Sequence, residues 1–376
     1  MSGDGRLRFG LIGFGVGKLY AACLRALHDT YPDLPSNELV AIATASTESG
    51  QAAVAHFGFA RATTDYRQLI GADDIDALVI ASPPRWHLPM LVEALASAKA
   101  LYVDKPLARS LAEAQQILAI ARELGRDGQM IFEFRFWPAV QLAKRLLDEG
   151  RLGQIYAFRG KYFRSSYADP DVPLRWKGQL AESGGGVLND TAPHILDLLT
   201  WLLETPDQVM AATRTFVSER PRSKSDRTRV AIDTDDHALL TLTLPGGAVG
   251  TVEAGRMVTG SIHDVEFEIY GSRASLRWSL MDTNHLYYAE NAHQASQGGW
   301  RQIPTVQHYP QAAIPGWDVP VGMMRFHLAS LAAFVRATIG QQPYNPGLEQ
   351  GARVQAIVEA ARQSATQHRW VDVSSV

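Results

Sequence analysis

Two groups of residues could carry chemistry. Asp190, His194 and Asp197 stand at i, i+4 and i+7 in the stretch Gly184-Gly185-Gly186-Val187-Leu188-Asn189-Asp190-Thr191-Ala192-Pro193-His194-Ile195-Leu196-Asp197. On one helix they would share a face, while Ile195, Leu198, Leu199 and Leu202 form an apolar stripe. A carboxylate one turn from an imidazole fixes its tautomer and favours its charged form, which suits the histidine to proton transfer. A purely structural Asp–His hydrogen bond is an equal reading of the spacing. As a metal site the group is short of ligands, no His-Glu-x-x-His pattern is present, and no metal is expected. The second group is Asp104-Lys105-Pro106, directly after the apolar run Ala100–Val103. A lysine at a strand end could donate to a substrate oxygen, and a solvated loop lysine is again an equal reading.

A third feature concerns a ligand. The apolar run Leu7–Ile12 enters Gly13-Phe14-Gly15-Val16-Gly17-Lys18, after which Tyr20, Cys23, Leu24 and Leu27 recur at helical spacing. Such a strand–turn–helix lets backbone amides approach a pyrophosphate at a helix N-terminus. The usual G-x-G-x-x-G would put its third small residue at Lys18; here the glycine arrives one step early, at Gly17. At the head of an alternating series the turn predicts a dinucleotide site rather than a structural bend. NAD sites normally carry Asp or Glu at the end of the second strand. This chain has Ala43-Thr44-Ala45-Ser46-Thr47, with no acid before Glu48. Without that carboxylate a 2′-phosphate is not repelled and hydroxyls could donate to it, so the stretch tilts towards NADP over NAD. No arginine stands there, and Ser46 or Thr47 reads equally as the N-cap of the next helix.

The elements that must position these residues alternate through the first third of the chain. Strand-like runs at Leu39–Ala43, Asp76–Ala81, Ala100–Val103 and Met130–Phe134 are separated by helical stripes such as Leu88, Leu91, Val92 and Leu95. Ser110-Leu-Ala-Glu113 reads as a capping box opening the stripe Ala114, Ile117, Leu118 and Ala121. Short, unalternating apolar strands between amphipathic helices predict a doubly wound parallel sheet. The pattern then changes to β-like segments at Ile155–Phe163, Val209–Val217, His237–Leu244, Ala248–Glu253, Val265–Tyr270 and Ala274–Trp278. Pro245-Gly246-Gly247 and Gly271-Ser272 look like hairpin connections. The chain closes with helices near Arg325–Ile339 and Glu349–Ser364. The expected fold class is α/β: an N-terminal Rossmann domain (1–134) and a C-terminal α+β domain (135–376) with a large, open, mostly antiparallel sheet.

Composition narrows the function. With 376 residues, 46% apolar and 20% charged, the chain is globular and long enough for two cores. A net charge of −3 offers no basic excess for a nucleic-acid partner, and Arg220–Arg229, interrupted by Asp226, reads as a solvated loop. Cys23 is the single cysteine, so no intramolecular disulfide is possible. The N-terminus lacks a long apolar leader and no run approaches membrane-spanning length, so a cytoplasmic location without membrane contact is expected.

Taken in order, these pieces resemble the Gfo/Idh/MocA oxidoreductases over nearly the whole chain. Ser82-Pro83-Pro84-Arg85-Trp86-His87 is similar to the family's T-P-x-x-x-H loop, and Asp104-Lys105-Pro106 to its E-K-P motif. Phe134-Arg135-Phe136-Trp137-Pro138 is similar to the segment entering the second domain, and Gly184–Asp197 to its G-G-G-x-x-x-D-x-x-x-H-x-x-D stretch. The segment from Glu268 to Leu276 is similar to its sheet strand-and-turn, and Ile357–Trp370 to its closing helix and tail. The resemblance implies an NAD(P)-dependent oxidoreductase moving hydride at a carbinol or carbonyl carbon of a sugar, inositol or related polyol. It implies nucleotide contacts from Gly13, Phe14, Gly15, Val16, Gly17, Thr44, Ser46, Ser82, Pro83, His87, Asp104 and Lys105. Lys105 and His194 would serve the reacting oxygen, supported by Asp190. Arg135, Tyr162, Arg164 and Trp176 could contact substrate hydroxyls, with core or surface roles as equal readings. The resemblance further implies a homodimer or homotetramer joined through the exposed sheet face. Two other readings belong to the same fold: a catalytically silent NAD(P)-binding regulator, and a glycoside hydrolase that uses NAD transiently. Presence of Lys105, Asp190 and His194 together favours an enzyme over the regulator.

Overall fold

The structure, a computed structural model, describes residues 5–291, 298–305 and 322–375. Two compact units divide them: 5–108, 112–136 and 322–352 form the first, and 109–111, 137–291, 298–305 and 353–375 the second. The first four residues of the N-terminal reading lie outside the described residues.

The first unit holds a six-stranded parallel sheet in the order β3-β2-β1-β4-β5-β6. Its strands are β1 (Leu7–Ile12), β2 (Asn37–Ala43), β3 (Arg61–Thr63), β4 (Ala77–Ile80), β5 (Ala100–Asp104) and β6 (Gln129–Ile131). Helices α1 (Gly17–Thr30), α2 (Thr47–Phe57), α3 (Arg67–Ile70), α4 (His87–Ala96) and α5 (Leu111–Glu123) connect them. Because helices cover both faces, the strand interiors are largely apolar, and all four residues of β4 are apolar and fully buried. That strand starts one residue later than the apolar run suggests. The Asp76 carboxylate turns aside to accept from the Arg8 amide and from Arg8 Nε, both at 2.9 Å. Strand order reverses between β1 and β4, the place where open α/β sheets bind ligands beyond the strand ends.

One helix departs from the expected division after residue 134. In its chain position, after the helices introduced below, it is α10 (Met323–Thr338), and it packs in the first unit. Phe334 lies 6.4 Å from the Phe9 ring and 5.0 Å from that of Tyr102, and Ser330 bonds the Tyr102 hydroxyl at 2.8 Å. Periodicity shows that a helix has an apolar face; which core receives that face depends on volumes contributed from far along the chain.

In the second unit a nine-stranded sheet runs β16-β15-β14-β13-β7-β12-β11-β8-β17. These are β7 (Ile155–Phe163), β8 (Gln208–Arg214), β11 (His237–Thr243), β12 (Val249–Gly255), β13 (Asp264–Gly271), β14 (Ala274–Ser279), β15 (His285–Glu290), β16 (Arg301–Pro304) and β17 (Val371–Asp372). All neighbours are antiparallel except β7 and β12. Alternation is clear in β13, where Val265, Phe267 and Ile269 are buried and Glu266, Glu268 and Tyr270 face the other side. Helices α6 (Pro138–Asp148), α7 (Leu180–Ser183), α8 (Val187–Asp190), α9 (Ala192–Leu202) and α11 (Leu348–Gln367) complete the set; α11 begins in the first unit. Ile195 and Leu199 of α9 seat against Gly160 of β7, where a Cβ would approach both to 2.7 Å.

Two expectations change here. The run Val209–Val217 ends as a strand at Arg214, because the amides of Phe216 and Val217 bond the Asp236 carboxylate at 2.8 and 3.1 Å. The basic stretch is a solvated loop over most of its length, with Arg222, Lys224, Arg227 and Arg229 exposed, but its ends are not loop. Two short strands, β9 (Glu219–Pro221) and β10 (Arg229–Ala231), pair within it. Arg220 is fully buried, its guanidinium donating to the carbonyls of Tyr167 (2.6 Å) and Asp169 (2.8 Å).

Candidate active site

The glycine turn is built for close approach. Gly13 holds φ +99°, and a Cβ there would lie 2.4 Å from the Ala81 carbonyl oxygen. Gly15 and Val16 are exposed at the tip, and α1 opens directly after them with no acidic residue in its first turn. Gly17 rests on the Leu11 side chain, taking the packing role that the usual motif gives its last glycine. Lys18 therefore points outward, its ammonium 4.8 Å from the Phe14 ring centroid. An exposed helix N-terminus behind a glycine that admits no side chain fits the pyrophosphate of a dinucleotide.

At the end of β2 the hydroxyls are already engaged. Thr44 is buried and its Oγ1 donates to the Ser46 carbonyl at 2.7 Å. Ser46 caps α2, its Oγ accepting from the Ser49 amide at 3.3 Å. The adjacent Glu48 carboxyl is held below the usual carboxylate range by its own backbone amide and the Ser46 hydroxyl.

Ser82 and Pro83 follow β4, and Ser82 Oγ points at Met90 Sδ, 3.4 Å away. His87 departs from the expected nucleotide contact, since its side chain is fully buried. Nε2 lies 2.9 Å from the Ser82 carbonyl and Nδ1 2.8 Å from that of Pro106, so the ring joins the loops after β4 and β5. Burial pulls its pKa down, against the nearby Asp104 charge and the carbonyls. Asp104 Oδ1 accepts from Tyr20 Oη at 3.2 Å and from the Lys105 amide at 2.9 Å; burial pushes its carboxyl up, opposed first by Lys105. Lys105 is half-buried at the strand end and precedes a cis proline. Arg135, expected near substrate, is 4% exposed and reaches Asn345 Oδ1 at 3.4 Å.

In the second unit the polar helix face is interrupted. α8 ends at Asp190 and α9 restarts at Ala192, so the three residues do not ride one continuous helix. Pro193 explains the break: it lacks the N–H that would bond Asn189, and it belongs in a first turn instead. Asp190 stays half-buried, whereas His194 is 7% and Asp197 1% exposed. The Gly184–Gly186 loop is held by Asp235, whose two oxygens accept from the Gly186 and Leu188 amides at 2.9 and 2.8 Å. Tyr162, on β7, is buried with its ring 5.5 Å from that of His194, and its hydroxyl meets His263 Nε2 at 2.6 Å. Arg164 lies half-buried at the same strand's end, its amide on the Gly255 carbonyl. Trp176 is exposed, and Lys177 beside it grips both Asp190 oxygens at 2.7 and 2.8 Å.

Lys177, His263 and Asp235 escape sequence reasoning. Each reaches its partner from another element, and no spacing rule links residue 177 to 190 or 235 to 186. A weak signal existed in Asp233-Thr234-Asp235-Asp236, an acidic run too dense to be an ordinary strand start.

Fold and glycine turn together define a Rossmann-type nucleotide-binding protein. The family model for the oxidoreductase NAD-binding Rossmann fold matches residues 7–132, and that for the C-terminal alpha/beta domain of the same family matches 144–373. The chain belongs to the Gfo/Idh/MocA family of oxidoreductases. It is 30% identical to levoglucosan dehydrogenase of Pseudarthrobacter phenanthrenivorans across 98% of this chain and 99% of that protein. The solved structure of levoglucosan dehydrogenase in complex with NADH and levoglucosan superposes with a TM-score of 0.93 at 30% identity, covering 98% and 99% of the two chains. The scyllo-inositol 2-dehydrogenase (NAD(+)) of Bacillus subtilis is 27% identical over 67% of this chain and 69% of its own length. No helix among the described residues is long and apolar enough to cross a membrane.

Proposed function

We propose that this oxidoreductase exchanges hydride with a CH–OH carbon of a sugar, anhydrosugar or cyclic polyol, using NAD. The observation that carries the reading is full-length likeness to a sugar dehydrogenase together with a built nucleotide turn, Lys105 at a strand tip and the Asp190–His194 pair. When bound, the nicotinamide supplies the acceptor or donor of the hydride. In the oxidative direction His194 is the group suited to take the proton from the substrate hydroxyl as the carbonyl forms, and Lys105 is a cation suited to steady negative charge on oxygen. Asp190 supports the imidazolium. Reduction reverses each transfer.

NAD is preferred here to the NADP towards which the bare sequence leans. Thr44 and Ser46, the hydroxyls that could have met a 2′-phosphate, donate to or cap local backbone instead, and Glu48 adds a carboxylate nearby. Titration with both nucleotides decides it, and clearly tighter NADP binding reverses the assignment. A cytoplasmic location accords with the lone buried Cys23, whose thiol burial pushes up to about 12. We also propose a homodimer or homotetramer joined through the outer face of the nine-stranded sheet, where Leu239 and Val249 are 45% and 48% exposed; light scattering on a sizing column tests it.

The deciding experiment follows absorbance at 340 nm with anhydrosugars, aldoses, inositols and their keto forms. Steady NADH formation or loss with one of these classes supports the reading. Nucleotide binding without any turnover would point to the silent regulator, and glycoside cleavage without net absorbance change to the hydrolase branch.

A further inference from the structure

We infer that Lys177 is a positioning residue that keeps Asp190 an oriented anion four residues before His194. Its catalytic consequence rests on the function proposed above; its electrostatic consequence does not.

The Lys177 ammonium contacts both carboxylate oxygens, at 2.7 and 2.8 Å. With both oxygens accepting from one cation, the carboxylate plane is fixed, and a proton on either oxygen would displace a charge-assisted bond. The cation is itself braced. Its backbone carbonyl accepts from Arg256 Nη1 at 3.1 Å and from Thr234 Oγ1 at 3.3 Å. Arg256 is anchored in turn by a buried ion pair with Asp236, 2.7 Å away. The Lys177 ammonium also lies 5.4 Å from the Trp176 ring centroid. An ordinary surface ion pair has no such scaffold and wanders among rotamers.

Other groups bear on Asp190. Tyr167 is near enough for the carboxylate to raise its phenol, although burial is the larger cause, and the Arg256 and Arg220 guanidiniums cover its ring at 4.6 and 4.8 Å. Arg175 adds a further positive charge towards Tyr167. The Tyr167 hydroxyl is buried with no hydrogen-bond partner among the described residues, so it does not compete with Lys177 for the carboxylate. Lys177 contacts the carboxylate directly. A carboxylate so held cannot readily collect the proton released from substrate, which leaves that proton to His194.

The test titrates the Asp190 carboxyl carbon by NMR in full-length protein carrying 13C-labelled aspartate, with Asp190→Asn assigning the signal. In Lys177→Met the midpoint moves up by about one pH unit, and Lys177→Arg brings most of it back. Should Lys177→Met fold poorly, Lys177→Gln answers the same question. An unmoved midpoint overturns the inference whatever the protein turns over. With an accepted substrate, the acid limb of kcat/KM rises in step with that midpoint; a limb that stays put while the carboxyl moves overturns the positioning role. Lack of turnover by the wild type counts against the proposed function alone, and the NMR titration still decides this point.

Discussion

Asp235 and Gly186 form one latch. The carboxylate accepts the Gly186 amide at 2.9 Å, and a Cβ on Gly186 would lie 1.8 Å from the Asp235 carbonyl oxygen. The loop entering α8 is therefore pinned where backbone meets backbone, and the start of the Asp190–His194 segment is set from a different part of the chain. Asp235→Ala removes two charge-assisted bonds, also freeing the Leu188 amide. It should cost about 2–3 kcal/mol in urea unfolding. Gly186→Ala meets main chain rather than a yielding side chain and should lower the yield of folded protein more severely. An Asp235→Ala midpoint equal to the wild type would remove the latch from the account.

Gly13 makes the matching prediction for the nucleotide. With positive φ and the Ala81 carbonyl 2.4 Å from any Cβ, Gly13→Ala must shift the turn. Calorimetric titration should show at least a tenfold loss in affinity for NADH, while Gly58→Ala, also at positive φ but with open space around it, serves as control for backbone strain alone. Equal losses in both variants would mean that close approach is irrelevant.

Lys105→Ala and His194→Ala should each lower kcat by about 100-fold or more with nucleotide affinity largely kept, since proton transfer typically contributes on that scale. Stopped-flow and equilibrium binding separate the two effects. Unchanged kcat in both variants would falsify their assignment.

His87 predicts a pH dependence of stability. Burial lowers its folded-state pKa below the ordinary value near 6.5, so the unfolded chain takes up a proton there that the folded one does not. Stability present above about pH 6.5 is then lost as pH falls towards the folded pKa, at up to about 1.4 kcal/mol per pH unit. Asp104 has the opposite sign: its raised carboxyl means a contribution that fades as pH climbs above about 4. Melting curves between pH 7.5 and 5 should be flatter for His87→Gln than for the wild type. Parallel curves would show that the ring is already charged, with both nitrogens donating to the carbonyls.

Much of the molecule is written in local pattern. Apolar runs such as Ala77–Ile80 announce buried parallel strands, and the alternation in Asp264–Gly271 announces a sheet with two unlike faces. Gly13, Lys105, Asp190 and His194 stand out as candidates because each sits in a short motif whose chemistry depends on near neighbours. Pro193 was equally visible, and its consequence, the break between α8 and α9, follows from the missing N–H alone.

Other features depend on distant partners, and no reading of one segment contains them. Whether a polar side chain faces solvent, ligand or carbonyl oxygens depends on what else arrives at that point. His87 ends between the Ser82 and Pro106 carbonyls, Arg220 among those of Tyr167 and Asp169, and Asp190 under Lys177. Helix α10 could have covered either sheet by its periodicity; the packing of Phe334 on Phe9 and Tyr102 assigned it to the first. Hydrophobic spacing thus decided which elements form and which way they face. Pairing of buried polar groups is a requirement that only the assembled chain can meet, and it decided what their side chains do.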